Sequence, residues 1–256
     1  MQGTIFRHIE KKLCRYTDHL ITMNGQDYEA IQRYHFKPGA YYKVPGVGAD
    51  AKRFCAQTRE SKRDARQKCG IAPDAFVLIF AAEYSHRKNQ KMLLKSVRLI
   101  MHIIPQVLLL LPGDGPLLSE YEQIIESQNL QEHVKLMGYR RDMDLLLQAA
   151  DVAVSSALQE GLPINIVEAM AVSLPVVATR IRGHVDLVKD GENGLLVPPA
   201  NAGALEQAIS DLLSDKSRRK HMGETGKKMC RPYSVEAMVE KIDNLYSRLL
   251  GEHSHA

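Results

Sequence analysis

The chain has 256 residues, of which 45% are hydrophobic and 25% are charged, and its formal net charge at pH 7 is +4. These values fit an ordinary globular protein with a sizeable core, built as one large domain or two small ones. The longest apolar run, residues 75–82, is far shorter than the roughly 20 residues that cross a bilayer, so the sequence argues against a membrane-spanning class.

Cysteines and basic residues carry no site signature of their own. The four cysteines are scattered and have no CxxC spacing, so we interpret them as reduced thiols of a cytoplasmic protein. The densest basic run, residues 59–68, contains two acids and no aromatic residue. It therefore predicts a solvated helix face, and we expect no nucleic-acid partner.

The first quarter of the chain lacks the elements of a complete domain. Its pattern predicts a helix at residues 9–15, one strand at residues 18–24, a second helix at residues 27–34 and a turn-rich segment at residues 42–50. One strand with two helices cannot bury a sheet by itself. We therefore expect residues 1–45 to be the end of a larger domain.

The middle of the chain alternates short apolar runs with longer amphipathic stretches, the pattern of a parallel sheet covered on both faces. The predicted strands are residues 75–82, 107–111, 134–137, 151–156, 175–179 and 194–198. The predicted helices are residues 90–104, 116–129, 143–150, 163–173 and 184–189. This order predicts an α/β fold, a Rossmann-like doubly wound parallel sheet that binds its ligand at the carboxyl ends of the strands.

The last quarter is helical. Residues 202–213, 215–230 and 235–250 form three amphipathic stretches, and Pro232 separates the last two. Ser234 is well placed to cap the final helix.

The stretch EGLPINIVEAM, residues 160–170, carries two carboxylates eight positions apart around a turn. Pro163 suits the first position of a helix, and the free N–H groups and partial positive charge of that helix end favour an anion. Glu160 and Glu168 could line one cleft and accept hydrogen bonds from sugar hydroxyls. The alternative is a loop acid at Glu160 and an exposed helix residue at Glu168.

Residues 160–179 closely resemble the E-x7-E signature of the family-4 glycosyltransferases, which have the GT-B fold of two facing Rossmann-like domains. The resemblance extends to four other segments. These are residues 108–117, 134–139, 145–156 and 182–199. The resemblance implies the donor-binding half of such an enzyme, with a metal-independent reaction that retains the anomeric configuration and needs no cofactor.

The resemblance also implies a role for each matching residue of the signature. Glu168 would bind the ribose of a nucleotide sugar, and Glu160 would contact hydroxyls of the transferred sugar. Backbone groups of Gly161 and Leu162 would meet the pyrophosphate or the sugar. Pro163, at the start of the helix, belongs to the same substrate-binding set.

A cation is expected opposite the signature. Lys88 matches the phosphate-binding lysine of the family, where it would stabilise the leaving diphosphate, and Arg87 would assist. The family usually has Gly-Arg after the first strand of the donor domain, whereas this chain has Ala82 and Glu83. Either Arg87 replaces that arginine, or donor binding is weaker.

Three further features belong to the predicted site region. Gly138 ends a matching strand segment and is a substrate-binding candidate. His184 follows Gly183 and is a candidate for donor contact, with a surface role as the alternative. The acids of residues 142–144 resemble a metal-binding Asp-x-Asp motif, but they lie where the start of a helix favours acids, so no metal site is expected.

Together these features predict a glycosyltransferase that uses a UDP- or GDP-sugar and a polysaccharide or lipid-linked acceptor. The expected domains are a remnant at residues 1–45, a nucleotide-sugar-binding domain at residues 46–231 and a crossover helix with tail at residues 232–256. The expected location is the cytoplasm, free or peripheral at the inner membrane face. The alternative is a donor-binding fragment that needs self-association or a partner chain for the acceptor half. A nicotinamide dehydrogenase is disfavoured because no Gly-x-Gly-x-x-Gly opens a helix.

Overall fold

The computed structural model describes residues 2–34 and 41–253 of the chain. Its strands are β1 (Leu20–Thr22), β2 (Tyr41–Lys43), β3 (Phe76–Ile79), β4 (Val107–Leu111), β5 (Val134–Leu136), β6 (Val152–Ser155), β7 (Val176–Thr179) and β8 (Gly194–Val197). Its helices are α1 (Gln2–Leu13), α2 (Gly25–Arg33), α3 (Arg59–Lys68), α4 (Gln90–Ile100), α5 (Leu118–Ser127), α6 (Met143–Ala149), α7 (Ile164–Ala171), α8 (His184–Leu187), α9 (Ala202–Ser214), α10 (Lys216–Met229) and α11 (Val235–His253). Short 3-10 turns cover Cys14–Tyr16 and Arg231–Tyr233.

Strands β3 to β8 form one six-stranded sheet in the order β5-β4-β3-β6-β7-β8, and every pair in it is parallel. Counted from β3, this order is 3-2-1-4-5-6, so the predicted Rossmann-like doubly wound fold is confirmed. The direction of winding reverses between β3 and β6, which pair through Leu78 with Val152 and Ile79 with Ala153. In open sheets of this kind, the crevice at the carboxyl end of that pair is where ligands bind.

The central strands are buried on both faces because helices cover both sides of the sheet. Along β3, Phe76 and Leu78 belong to one apolar cluster with residues of α4 and α9. Val77 and Ile79 belong to a second cluster with residues of α6 and α7. Alternate side chains of a strand point to opposite faces, so a continuous apolar run fills two helix layers at once.

All six predicted strands of this sheet are present. Strand β4 has the predicted bounds, and the ends of the other strands match the prediction or fall up to three residues short of it. The predicted helices are also present, and α3 has the bounds of the basic run. Strand β2 was not predicted, because residues 42–50 resemble a turn. It pairs in parallel with β1, from Leu20 with Tyr41 to Thr22 with Lys43.

The prediction of a solvated face for the basic run is wrong at Arg66, whose side chain is 8% exposed. Arg66 lies 2.7 Å from Asp151 and also donates to the carbonyl oxygens of Ala149 and Pro73, at 3.1 and 2.6 Å. Lys62 pairs with the other oxygen of Asp151 at 2.5 Å. Two of the basic residues therefore fasten α3 to the start of β6, and a charge count along the sequence could not show this.

The final helix packs against the first quarter of the chain. Met238 and Leu245 of α11 form an apolar cluster with Val44, and Tyr42 packs against it. The Arg248 guanidinium lies 5.0 Å from the centre of the Tyr42 ring. The bounds of the three domains given above remain predictions. In the part of the chain that the structure describes, none of the helices combines the length and apolarity that a bilayer crossing requires.

Helix α10 offers a sharp test of the packing between α10 and α7. A Cβ on Gly223 would lie 1.9 Å from the carbonyl oxygen of Ser173, whereas a Cβ on Gly226 would make an ordinary 3.5 Å contact with Met170. We expect Gly223→Ala to lower the free energy of unfolding by about 2 kcal/mol or more, because overpacking outweighs the gain in helix propensity. Gly226→Ala is the matched control, and urea unfolding should show it neutral or stabilised by up to about 1 kcal/mol. Equal effects of the two substitutions would contradict the packing.

Candidate functional site

The candidate site lies where β3 and β6 end side by side. The segment after β3, residues 82–89, is named the lysine loop here, and the segment after β6, residues 157–163, is named the acid loop. Because β3 and β6 are parallel neighbours, both loops leave the same edge of the sheet. This edge is the switch point of the fold, so the topology alone brings the two segments together.

Hydrogen bonds fix the lysine loop against the end of β6. The Ser156 hydroxyl donates to the carbonyl oxygens of Lys88 and Asn89, at 3.0 and 2.9 Å. The amide of Leu158 donates to the carbonyl oxygen of Arg87 at 2.8 Å. Asn89 adopts a left-handed backbone with φ of 52°, and α4 begins directly after it. The backbone on both sides of Lys88 is therefore held, and the amino group has a defined position.

Lys88 and Glu160 form an ion pair through Nζ and Oε1. Their side chains are 14% and 6% exposed, so the pair is largely removed from water. Arg87 reaches the second carboxylate oxygen of Glu160 at 3.9 Å, but its side chain is 47% exposed. The structure thus brings together three predicted site residues from two loops that are about seventy positions apart in sequence.

Glu83, the departure from the family pattern, also contacts this cluster. Its carboxylate lies 3.7 Å from the Arg87 guanidinium, and both side chains are about half exposed. Arg87 therefore lies between two acids, Glu83 and Glu160. An anionic ligand could displace the exposed Glu83 carboxylate and pair with Arg87 in its place. Both alternatives, replacement of the family arginine by Arg87 and weaker donor binding, agree with this geometry.

Close packing explains the two glycines of the Gly-Asp-Gly turn after β4, residues 113–115. A Cβ on Gly113 would lie 2.0 Å from the carbonyl oxygen of Ala82, and a Cβ on Gly115 would lie 2.6 Å from that of Tyr84. The amides of Ala82 and Tyr84 donate to the carbonyl oxygens of Pro112 and Asp114. These glycines therefore allow the turn to support the lysine loop at close range.

Helix α7 starts at the acid loop. Pro163 is the N-cap residue and Ile164 is the first helical residue, so the predicted first position of Pro163 is wrong by one residue. Pro163 makes no side-chain capping bond, but Asn165 Oδ1 accepts from the amide of Ile166 in the first turn at 3.0 Å. Asn165 donates to the carbonyl oxygen of Ala81 at 3.0 Å, which ties the start of α7 to the end of β3.

Glu168 lines a small cleft between β3, β6, α6 and α7. The cleft is bounded by Ile79, Ala81, Met143, Leu147, Ala153, Val154, Asn165 and Ile166. Desolvation in these apolar surroundings raises the pKa of Glu168 to about 7, and the positive charge of Arg53 opposes this rise. Among the described residues, none forms a hydrogen bond or an ion pair with this carboxyl group, which is therefore available to a ligand.

The alternative of an exposed helix acid at Glu168 is thus wrong, and so is that of an ordinary loop acid at Glu160. Glu168 alone of the two lines the cleft. The expectation that both acids line one cleft is met only in part, because the Glu160 carboxylate is directed to Lys88. The two acids mark two neighbouring parts of the same sheet edge.

His184 is fully buried, so the alternative of a surface role is wrong. Its Nδ1 lies 2.7 Å from the carbonyl oxygen of Thr179, which assigns the proton to Nδ1, and its Nε2 lies 3.1 Å from the Ser155 hydroxyl. Burial lowers the pKa of this imidazole, although the carbonyl of Thr179 and the charge of Glu160 oppose the shift. A neutral His184 therefore bridges the ends of β6 and β7 beneath the acid loop.

The remaining predicted residues lie at the same sheet edge or beside it. Gly138 has φ of 64° after β5, and its carbonyl oxygen accepts from the amide of Gly113 at 2.8 Å. Leu162 is partly buried against the apolar cluster of α6 and α7. The Gly161 carbonyl oxygen accepts from the Asn24 side chain at 3.2 Å.

No metal site is found among the described residues, in which no group of three His, Cys, Asp or Glu side chains is suitably arranged. The two acids of residues 142–144 are each engaged with an arginine. Asp142 pairs with Arg140 at 2.5 Å, and Asp144 pairs with Arg53 at 3.1 Å.

Arg182 was missed at the sequence level. It donates to the carbonyl oxygen of Glu160 at 3.2 Å and pairs with Asp27 at 2.7 Å. Its position inside the matching segment 182–199 was the only available signal, because its contacts join residues far apart in sequence.

Known proteins resemble this chain over most of its length. Residues 61–229 match the family model described as "Glycosyl transferases group 1". The EpsD protein of Bacillus subtilis (strain 168) is 33% identical over 243 residues, which cover 95% of this chain and 64% of EpsD. An Escherichia coli protein named UDP-Gal:alpha-D-GlcNAc-diphosphoundecaprenol alpha-1,3-galactosyltransferase is 26% identical over 247 residues, covering 94% of this chain and 63% of that protein. The chain therefore spans less than two thirds of either relative.

A solved structure shows the same fold. Anabaena Alr3699/HepE, crystallised in complex with UDP and glucose, superposes with a TM-score of 0.85 at 23% identity. The superposition covers 94% of this chain and 66% of HepE.

Proposed function

The chain belongs to the glycosyl transferases of group 1, and from this premise we propose that it binds a nucleotide sugar at the switch point between β3 and β6. The sugar is then transferred to a polysaccharide or glycolipid acceptor, with retention of the anomeric configuration. In this proposal, the chain supplies the donor-binding part of the enzyme.

The Glu168 carboxyl group carries the proposal. A carboxyl group in apolar surroundings without a hydrogen-bond partner among the described residues costs stability, since desolvation penalises its charged form. A ribose offers two adjacent hydroxyl donors, which one carboxylate can accept in its plane. Donor binding would supply the missing hydrogen bonds. The stability that the free chain loses by burying Glu168 is then recovered as binding free energy for the nucleotide.

Lys88 and the start of α7 provide the matching charge. When the bond between the sugar and the diphosphate breaks, negative charge grows on the leaving diphosphate. A fixed ammonium group and a helix N-terminus in a site shielded from water stabilise such charge. Glu160 holds Lys88 in the free chain, and we propose that its carboxylate also accepts from hydroxyls of the transferred sugar.

The relatives suggest which donor to test first. The Escherichia coli relative is named for UDP-Gal, and HepE was crystallised with UDP and glucose. We therefore propose a UDP-sugar as the donor, with a GDP-sugar as the second choice.

A donor-binding chain that requires a partner for the acceptor half is the second candidate. The chain covers 64% of EpsD, and several apolar side chains of its first quarter are exposed. They are Ile9, Leu13, Tyr16, Ile21 and Met23. Binding of donor without any sugar transfer by this chain alone would favour this candidate.

Calorimetric titration tests the proposed donor. We expect UDP to bind with a Kd below about 1 mM, in the usual range of substrate affinities, and NADH not to bind. Release of UDP from UDP-galactose, followed with and without a candidate partner chain, separates the two candidates. If neither UDP nor GDP binds while NADH does, the glycosyltransferase proposal is wrong.

A further inference from the structure

The N-terminal end of α2, residues 24–27, touches the acid loop and is named the α2 tip here. Asn24 is the N-cap residue of α2 and is 1% exposed. Its Oδ1 accepts from the amide of Asp27 at 2.9 Å, and its Nδ2 donates to the Asp27 carboxylate at 2.8 Å. The same Nδ2 donates to the carbonyl oxygen of Gly161 at 3.2 Å. A residue of the first quarter thus holds the backbone of the acid loop.

Arg182 completes this connection from the other side. Its Nη1 donates to Asp27 Oδ1 at 2.7 Å, and its Nε donates to the carbonyl oxygen of Glu160 at 3.2 Å. Both oxygens of the Asp27 carboxylate are therefore occupied, one by Asn24 and one by Arg182. Consecutive carbonyl groups, those of Glu160 and Gly161, are fixed by two side chains that share Asp27.

A second contact fastens the α2 tip to α8. The amide of Gly25, in the first turn of α2, donates to Asp186 Oδ1 at 2.8 Å, and Lys43 pairs with the same oxygen at 3.3 Å. A carboxylate at a helix N-terminus is stabilised by the free N–H groups and the helix dipole. The Asp186 side chain is 12% exposed, which strengthens this contact relative to a surface pair.

We infer that Asn24 and Asp27 are positioning residues for sugar transfer, an inference that rests on the proposed function. Through Arg182 and the Gly161 carbonyl they fix the backbone of Glu160 and, with it, the alignment of its carboxylate beside Lys88. A displacement of about 1 Å in such a constellation can lower a rate about a hundredfold. In the proposed site UDP is held by Glu168, the start of α7 and Lys88, and the Lys88 backbone is fixed by Ser156 rather than by the α2 tip. Loosening the α2 tip therefore lowers the rate of bond cleavage more than UDP affinity.

Asp27→Ala tests this inference, with Glu29→Ala as the matched control. Glu29 is an exposed acid on the same helix, and among the described contacts it forms no ion pair. For Asp27→Ala we expect UDP release from UDP-galactose to fall about tenfold in kcat, with the calorimetric Kd for UDP changed less than twofold. Amide hydrogen exchange of residues 157–163 should be faster in Asp27→Ala and unchanged in Glu29→Ala.

A double-mutant cycle distinguishes positioning from general damage. If Asp27 acts through Arg182, adding Asp27→Ala to Arg182→Ala should lower kcat less than twofold further. The inference is overturned if exchange of residues 157–163 is unchanged in Asp27→Ala, or if UDP affinity falls as much as kcat does. Absence of both UDP and GDP binding by the unmodified chain would refute the proposed function instead. In that case, or if the chain alone shows no turnover, the exchange measurement still decides whether Asp27 holds the acid loop.

Discussion

Replacing Lys88 by alanine is expected to lower the free energy of unfolding by about 3 kcal/mol and the rate of UDP release from a UDP-sugar at least a hundredfold. The stability loss follows from the burial of Glu160, which is 6% exposed and, among the described residues, would keep only Arg87, at 3.9 Å, as a cation. The loss of rate follows because no fixed ammonium group would then face the leaving diphosphate.

A paired substitution separates these two roles of Lys88. Lys88→Met combined with Glu160→Gln removes both buried charges, so urea unfolding should show most of the stability restored. The rate of UDP release should remain as low as in Lys88→Ala.

Lys91→Ala is the control for removal of a lysine from the same region. Lys91 pairs with Glu120 at 2.9 Å, but the two side chains are 54% and 37% exposed. Such a surface pair contributes less than about 1 kcal/mol, so both stability and rate should stay near those of the unmodified chain. Equal stability losses for Lys88→Ala and Lys91→Ala would contradict the buried ion pair.

Glu168→Gln is expected to stabilise the free chain at pH 8 and to weaken UDP binding. Burial raises the pKa of Glu168 to about 7 from its ordinary value of 4.5. Between these two values the unfolded chain is ionised at this residue and the folded chain is protonated, so stability falls as pH rises. Above pH 7 Glu168 is ionised in both the folded and the unfolded chain. The folded chain then bears the full cost of desolvating this carboxylate, about 2 kcal/mol after allowance for partial solvation.

The stability difference between the two chains should therefore depend on pH. Glu168→Gln should be about 2 kcal/mol more stable than the unmodified chain at pH 8 and nearly equal to it at pH 4.5. Urea unfolding at both pH values measures this difference. Glu122→Gln, at an exposed glutamate of α5, is the matched control for this substitution.

The UDP affinity of the unmodified chain should rise with pH, whereas its stability falls. A protonated Glu168 accepts hydrogen bonds poorly, so UDP should bind about tenfold more tightly at pH 8 than at pH 6 as the carboxylate forms. The phosphate of UDP also titrates in this range, and the same titrations with Glu168→Gln correct for it. An affinity of Glu168→Gln equal to that of the unmodified chain at pH 8 would remove Glu168 from the nucleotide site.

The fold was predictable because its signals are local. The apolar run of β3 fills two helix layers, and β4, β6 and β7 are likewise buried along their whole length. Strand β2 gave no comparable signal, since it has three residues and its side chains are partly or mostly exposed. Its pairing with β1, which the local pattern of residues 42–50 does not reveal, defines it as a strand.

The site was predictable in its residue types but less so in its contacts. The spacing of Glu160 and Glu168 indicated two acids near a helix start, and the resemblance indicated Lys88. The burial of His184, and the link from Asp27 through Arg182 to Glu160, depend on residues up to 155 positions apart. Such contacts follow from strand order and loop packing, which a single sequence does not display.

The most direct test of the central claim is a crystal structure of the chain grown with a UDP-sugar. The proposed function predicts ribose hydroxyls within about 3 Å of the Glu168 carboxylate, and the diphosphate between the Lys88 amino group and the first turn of α7. Electron density for the nucleotide elsewhere on the molecule, with Glu168 still unpartnered, would contradict the proposed site.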